Sequence, residues 1–236
     1  MQAWSEVEIR VIKPCLRSLG GRGADGGAME SGIRHTVAQP AGLSPEEQRA
    51  APRVTLLIRP AKLVTPEGEF VCVIRDVSAT GVSVRLFHPI PAGEAALLET
   101  ETGNRVAMRR VWVRDNEAGF HFDEAIDVAQ LVNQTGQFRK RKLRITVELP
   151  VRVCFLGQTH QAVIRNLSQQ GARIECDVRL ALAQALRLQS DYLPEIRAKV
   201  RWRRDGQFGL VFEDTFSLGD FAQIAALLQS PSLLGR

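Results

Sequence analysis

Arg49 and Arg53 stand four residues apart, and Asp76-Val77-Ser78-Ala79-Thr80-Gly81 follows some two dozen residues later. These residue types suit recognition of a phosphate and of a base edge. An arginine fork pairs with a phosphate or with the O6/N7 edge of guanine, and its flat face stacks on a base. A carboxylate such as Asp76 accepts from the N1–H and N2–H donors of guanine. Ser78 offers a hydroxyl, and Gly81 permits a tight turn or a close approach of backbone to ligand. Each group also has a plainer use. The arginines serve as solvated linker charges, and Asp-x-Ser-x-x-Gly serves as a strand turn in which Asp or Ser caps backbone N–H groups.

The constellation occurs twice. Val73-Ile74-Arg75-Asp76-Val77-Ser78 matches Val163-Ile164-Arg165-Asn166-Leu167-Ser168. Gly81 matches Gly171, Trp112 matches Trp202, Gly119 matches Gly209 and Phe122 matches Phe212, every pair offset by 90 residues. A constant offset over so long a stretch means two copies of one domain. The second copy departs at its entry, Arg139-Lys140-Arg141-Lys142-Leu143-Arg144. The Arg-x-x-x-Arg register falls on Lys140 and Arg144, with Arg141 one residue away. Lysine keeps the charge but not the fork or the flat face. Asn166, Ser168 and Gly171 retain the later motif.

These residues must be held by short β-rich runs separated by turn signals. Candidate strands cover 53–65, 69–76, 81–87, 95–99, 105–114 and 119–122, closed by Pro66-Glu67-Gly68, Pro91-Ala92-Gly93, Thr102-Gly103-Asn104 and Asp115-Asn116. Many short strands with frequent turns make a small barrel or sandwich. Helical material follows the last strand of each copy. Asp220 is a candidate cap for the final helix, with Phe221, Ile224 and Leu228 on one face. Trp112 and Trp202 read as core residues, and His121 as outward-facing.

Arg-x-x-x-Arg followed by Asp/Asn-x-Ser-x-x-Gly resembles the signature of the PilZ domain, and Trp112…Gly119-Phe120-His121-Phe122 resembles the end of a PilZ barrel. The later motif alone arises by chance in roughly one chain of this length in ten, but two occurrences with matching flanks do not. The resemblance implies an all-β chain of two tandem six-stranded antiparallel PilZ-like barrels, each followed by a helix: a disordered tail over 1–45, one domain over 46–130 and a second over 136–230. It also implies the ligand, the bacterial second messenger cyclic di-GMP. Arg49 and Arg53 take the phosphate and guanine roles, and Asp76, Ser78 and Gly81 form the barrel-side surface. In the second domain the corresponding residues are Lys140, Arg141 and Arg144 with Asn166, Ser168 and Gly171. Micromolar binding requires about 8 kcal/mol, so several such contacts must act together.

Composition narrows the alternatives. Of 236 residues 44% are hydrophobic, which supplies a core. No apolar run approaches the roughly 20 residues of a membrane span; the longest clusters are short, such as Val71-Cys72-Val73-Ile74. Glu6 and Glu8 interrupt any signal peptide. The Gly-rich 20–27 segment reads as tail, and Met29 as a candidate start of translation. Cys15, Cys72, Cys154 and Cys176 form no Cys-x-x-Cys pair and read as buried, reduced thiols of a cytoplasmic protein. His35, His88, His121 and His160 show no metal-ligand spacing, and neither a nucleophile elbow nor a phosphate loop occurs, so no enzyme, metal or cofactor is expected. The net charge of +5 equals the five charges of Arg139, Lys140, Arg141, Lys142 and Arg144. This basic run points to a small phosphorylated ligand and not to polymeric nucleic acid. The expected function is a cyclic di-GMP receptor whose entry loops reorder on binding and alter the inter-domain arrangement for a downstream protein. The rivals are an interaction module with degenerate ligand sites and an oligonucleotide-binding barrel.

Overall fold

The computed structural model describes residues 54–132 and 142–235. Arg49, Arg53, Lys140, Arg141, Cys15, Met29 and the expected tail lie outside the described residues. Six strands form the first barrel: β1 (Val54–Thr65), β2 (Gly68–Val77), β3 (Gly81–Leu86), β4 (Ala95–Thr100), β5 (Arg105–Arg114) and β6 (Glu117–Phe122). The short helix α1 (Val128–Val132) follows. The second barrel comprises β7 (Arg144–Phe155), β8 (Gln158–Ser168), β9 (Gly171–Glu175), β10 (Ala185–Gln189), β11 (Ile196–Arg204) and β12 (Gln207–Phe212). It leads into α2 (Leu218–Gln229) and a 3-10 turn at Pro231–Leu234. All pairings are antiparallel, in the order β1-β2-β3-β6-β5-β4 with β4 closing on β1, and the second barrel repeats that order strand for strand.

Alternation builds the walls. In β7, Ile145, Val147, Leu149, Val151 and Val153 point inward while Arg144, Thr146, Pro150 and Arg152 point out. Phe70, Ile74, Leu98, Met108 and Phe122 fill the first barrel, and Leu149, Ile164, Leu167 and Leu210 the second. The repeat extends to the turns. Asp115 (φ 51°) and Asp205 (φ 48°) occupy the same left-handed position in hairpins β5–β6 and β11–β12, a conformation that aspartate tolerates better than most residues.

The β2 strand breaks the alternation: Gly68–Ile74 is buried without interruption. One face fills its own barrel, and the other lies under α2 and β7. Val71 packs in the second barrel's core, while Ala226 of α2 packs in the first. Helix α2 therefore serves both barrels, with Phe221, Ala222 and Ala225 turned to its own. The expected face of Phe221, Ile224 and Leu228 does pack on the core, Ile224 only partly buried, and the alanine side is buried as well. The cap is corrected. Ser217 is the N-cap, its Oγ accepting from Asp220 N (3.1 Å) and donating to Asp220 Oδ2 (2.7 Å). Asp220 sits three residues into the motif, where a capping box places its acid.

A buried polar seam joins the barrels. Lys62 Nζ lies 3.2 Å from Glu69 Oε1 and 2.9 Å from Glu99 Oε1, and donates to Arg144 O at 3.2 Å. Glu69 Oε2 accepts from Thr146 N (2.7 Å). Gln229 accepts from Glu69 N through Oε1 (3.3 Å) and donates through Nε2 to Thr146 O (2.7 Å). Gly68 makes room for that side chain, since a Cβ there would lie 2.5 Å from Gln229 Oε1. All three ammonium donors of Lys62 have acceptors, the condition under which a buried charge is tolerated. A further link runs from Gln223 Nε2 to Phe87 O.

His88 is buried 5.4 Å from the Phe70 ring, and its Nδ1–H donates to Pro89 O (2.8 Å). Its Nε2 has no partner among the described residues. Burial lowers its pKa below the ordinary 6.5. The fold binds the neutral ring, so this stability is complete above the unfolded value and is lost as pH falls toward the lowered one. Urea unfolding should therefore show a larger loss between neutral pH and pH ~5 for wild type than for His88→Leu; equal losses would contradict this.

Candidate ligand-binding site

Two register breaks shape one corner of the first barrel. The β2–β3 ladder shifts between Ile74 and Asp76, and the β5–β6 ladder between Arg110 and Trp112. Such bulges bend a strand and re-aim its side chains. Between them opens a cleft of about 210 Å³ lined by Asp76, Ser78, Gly81, Ser83, Trp112 and His121 among others. Ser83 Oγ accepts from Asp76 N (3.2 Å) and donates to Asp76 Oδ2 (3.1 Å), which fixes the carboxylate. Ser78 N donates to Gly81 O (2.8 Å), and Ser78 Oγ lies 3.4 Å from the same oxygen. The hydroxyl thus braces the turn. Gly81 allows a close approach of backbone to backbone: a Cβ there would sit 2.6 Å from Phe120 O. His121 is exposed, as expected, and its Nδ1–H donates to Phe122 O (2.7 Å).

The tryptophans are the main correction. Trp112 is 41% exposed and Trp202 39%, whereas both read as core. The bulge at Val111 sets Trp112 opposite Gly119, and the pyrrole edge of the indole takes the space a side chain at 119 would fill. A Cβ on Gly119 would lie 1.9 Å from Trp112 Nε1, and one on Gly209 1.9 Å from Trp202 Nε1. The ring lies on the outer barrel wall beside the motif, available to stack. The paired Trp–Gly spacing, 112/119 and 202/209, is the sequence signal that marks it.

The second barrel repeats the corner. Its ladders shift between Ile164 and Asn166 and between Val200 and Trp202. Ser168 Oγ donates to Gly171 O (3.0 Å), and a Cβ on Gly171 would lie 2.2 Å from Leu210 O. Arg144 pairs with Ser168 and Thr146 with Asn166 across β7 and β8, so the entry residue Arg144 stands directly beside the motif, exposed. Thus Asp76, Ser78 and Gly81 converge at one corner, and Arg144, Asn166, Ser168 and Gly171 at the other. Ser83, Trp112 and His121 also line the first corner, and the motif alone did not reveal them. Replacing Gly81 with alanine should cost about 1–3 kcal/mol, because the β3–β6 backbone must separate. Chemical denaturation would measure it, and an unchanged midpoint would contradict the close approach.

Elsewhere, a more open cleft of about 460 Å³ lies at the far end of barrel two, lined by Leu156, Arg187, Arg197 and Glu213 among others. Its charges are already paired, Arg197 with Glu213 (3.6 Å) and Arg187 with Glu195 (3.4 Å). Cys72, Cys154 and Cys176 are buried, and burial pushes the Cys72 thiol up to about 12. Among the described residues no group of three or more His, Cys, Asp or Glu is placed to hold a metal, and no helix is long and apolar enough to cross a membrane.

Two closed six-stranded barrels in tandem, each with a glycine-braced turn beside an outward tryptophan, define a duplicated small-barrel protein. The PilZ domain model matches residues 47–138 and again 137–230, and the chain belongs to the PilZ domain family. Similar solved structures include the PlzA protein of Borreliella burgdorferi in complex with c-di-GMP, at 13% identity over 78% of this chain and 96% of that one, TM-score 0.32. Others are the Bacillus subtilis inhibitor of motility MotI/DgrA (14%, 77% and 100%, TM-score 0.32) and Escherichia coli YcgR in complex with c-di-GMP (11%, 70% and 80%, TM-score 0.31). At these TM-scores the likeness adds nothing to the family assignment. No curated protein matches the chain.

Proposed function

We propose that this tandem PilZ protein is a cytoplasmic receptor for cyclic di-GMP and not an enzyme, with domains over 46–130 and 136–230. The observation that carries the reading is the corner where Asp76, Ser78, Gly81 and Ser83 meet an exposed indole, with the same turn and indole repeated at Ser168, Gly171 and Trp202 in the second barrel. Arg49 and Arg53 close on the first corner as phosphate and guanine ligands. Lys140, Arg141 and Arg144 do so on the second, beside Asn166, Ser168 and Gly171. An indole contributes about 1–3 kcal/mol by stacking on a base, and each charge-assisted hydrogen bond about 1.5–3 kcal/mol. A few such terms reach micromolar affinity. Isothermal titration with cyclic di-GMP should show heat in wild type and at least tenfold weaker binding at the first site of Arg53→Ala; unchanged affinity there would remove Arg53 from the site.

Binding changes the relation of the two barrels, and a downstream protein reads that change. The support is the seam: Lys62 of the first barrel holds the carbonyl of Arg144, whose neighbour across the ladder is Ser168. A ligand that draws on Arg144 pulls on a residue bonded to the other barrel. Small-angle scattering should differ between free and saturated protein, and identical profiles would contradict this. The exposed indoles also suit a single-stranded oligonucleotide, whose binding would weaken steeply with salt. A titration that stays silent would leave the interaction-module reading.

A further inference from the structure

One row of residues crosses four strands at each corner. In the first barrel it runs Asp76, Ser83, Gly119, Trp112, and in the second Asn166, Arg173, Gly209, Trp202, each neighbour paired across its ladder. The rows match in position but differ in charge. The first carries an acid held by a hydroxyl; the second carries a neutral amide and a guanidinium.

Arg173 stands out among arginines. Arg59, Arg110 and Arg165 are the other half-buried arginines among the described residues. Arg59 donates to Leu131 O (2.7 Å), Arg110 to Pro91 O (2.9 Å) and Arg165 to Glu175 Oε2 (2.7 Å). Arg173 Nε is buried with no partner among the described residues, and so is Oδ1 of its neighbour Asn166. A buried donor and a buried acceptor side by side, both unsatisfied, are costly for a fold and uncommon. Their chemistry is complementary to the adjacent O6 acceptor and N1–H donor of guanine. The indole of Trp202 lies over Gly209, next in the row, as a stacking surface.

We infer that Arg173, with Asn166 and Trp202, recognises a guanine base at the second barrel, so that the two sites read one ligand with different wall chemistry. The inference rests on the cyclic di-GMP reading and goes beyond its motif residues. The guanidinium swings from its unpaired position onto O6 of the base, and Asn166 Oδ1 accepts from N1–H. The first barrel has only Ser83 at this position and depends on Asp76 instead.

The test uses the full chain carrying Asp76→Ala, which weakens the first site and leaves the second as the tighter one, titrated with cyclic di-GMP with and without Arg173→Ser or Arg173→Lys. Both Arg173 variants should bind at least tenfold more weakly. Arg173→Ser, which copies the first barrel, should also unfold at the same or a higher urea concentration without ligand, because an unsatisfied donor has been removed. Unchanged affinity in both variants would overturn the inference, as would an Asp76→Ala chain that binds nothing while wild type binds. A loss of affinity that merely tracks a lowered unfolding midpoint would overturn it as well, by assigning Arg173 a structural role. Wild type that binds no cyclic di-GMP would instead overturn the functional reading on which the inference rests.

Discussion

Replacing Lys62 with methionine is expected to weaken the fold by about 3–5 kcal/mol, the range for removing one partner of a buried ion pair. Lys62 is 4% exposed and sits between Glu69 and Glu99. Methionine retains the apolar stem but leaves Glu69 among buried groups with no cation. Glu99 keeps Arg105 at 2.6 Å, so the penalty falls mainly on Glu69. Glu69 also receives Thr146 N, and Lys62 donates to Arg144 O, so the loss spreads to the second barrel. Adding Glu69→Gln should recover part of the stability, since a neutral amide oxygen still accepts from Thr146 N without a stranded charge. Equilibrium urea unfolding of the single and double variants measures both effects. A loss below about 1 kcal/mol in Lys62→Met would place the pair with solvent-exposed bridges instead.

Substituting Asp76 with alanine should reduce cyclic di-GMP affinity at the first site by about 10- to 150-fold, the equivalent of a hydrogen bond to a charged group at about 1.5–3 kcal/mol. Asp76→Asn should lose less, because the second barrel carries asparagine at the same place in the row. Trp112→Ala should lose about 1–3 kcal/mol through stacking, while Asp76, Ser78 and Ser83 keep their hydrogen-bonding groups. Calorimetric titration separates these variants. Equal affinities for wild type and Asp76→Ala would remove the carboxylate from the site.

Most of the barrel architecture is legible in the sequence. The 90-residue offset fixed the duplication, and Pro66-Glu67-Gly68 and Asp115-Asn116 marked real hairpins. The misses share a physical cause. Val111-Trp112-Val113 is an apolar run between arginines and looks like core, yet a bulge turns it outward; one irregular residue leaves no trace in an alternating pattern. Lys62 points outward from β1, but onto the second barrel instead of into water. The one hint was the uninterrupted Val71-Cys72-Val73-Ile74, since a strand apolar on both faces must be covered on both. Ser217 as cap was legible in Ser-x-x-Asp, three residues before the acid. The unpaired Arg173 was not, because charge in a sequence carries no information about partners.

Calorimetric titration of cyclic di-GMP into the wild-type chain decides whether the two corners take this ligand. The expected result is saturable heat with micromolar affinity, about 8 kcal/mol, that changes little between low and moderate salt. Absence of any heat at millimolar ligand, or affinity that collapses with salt as for a polyanion, would contradict it.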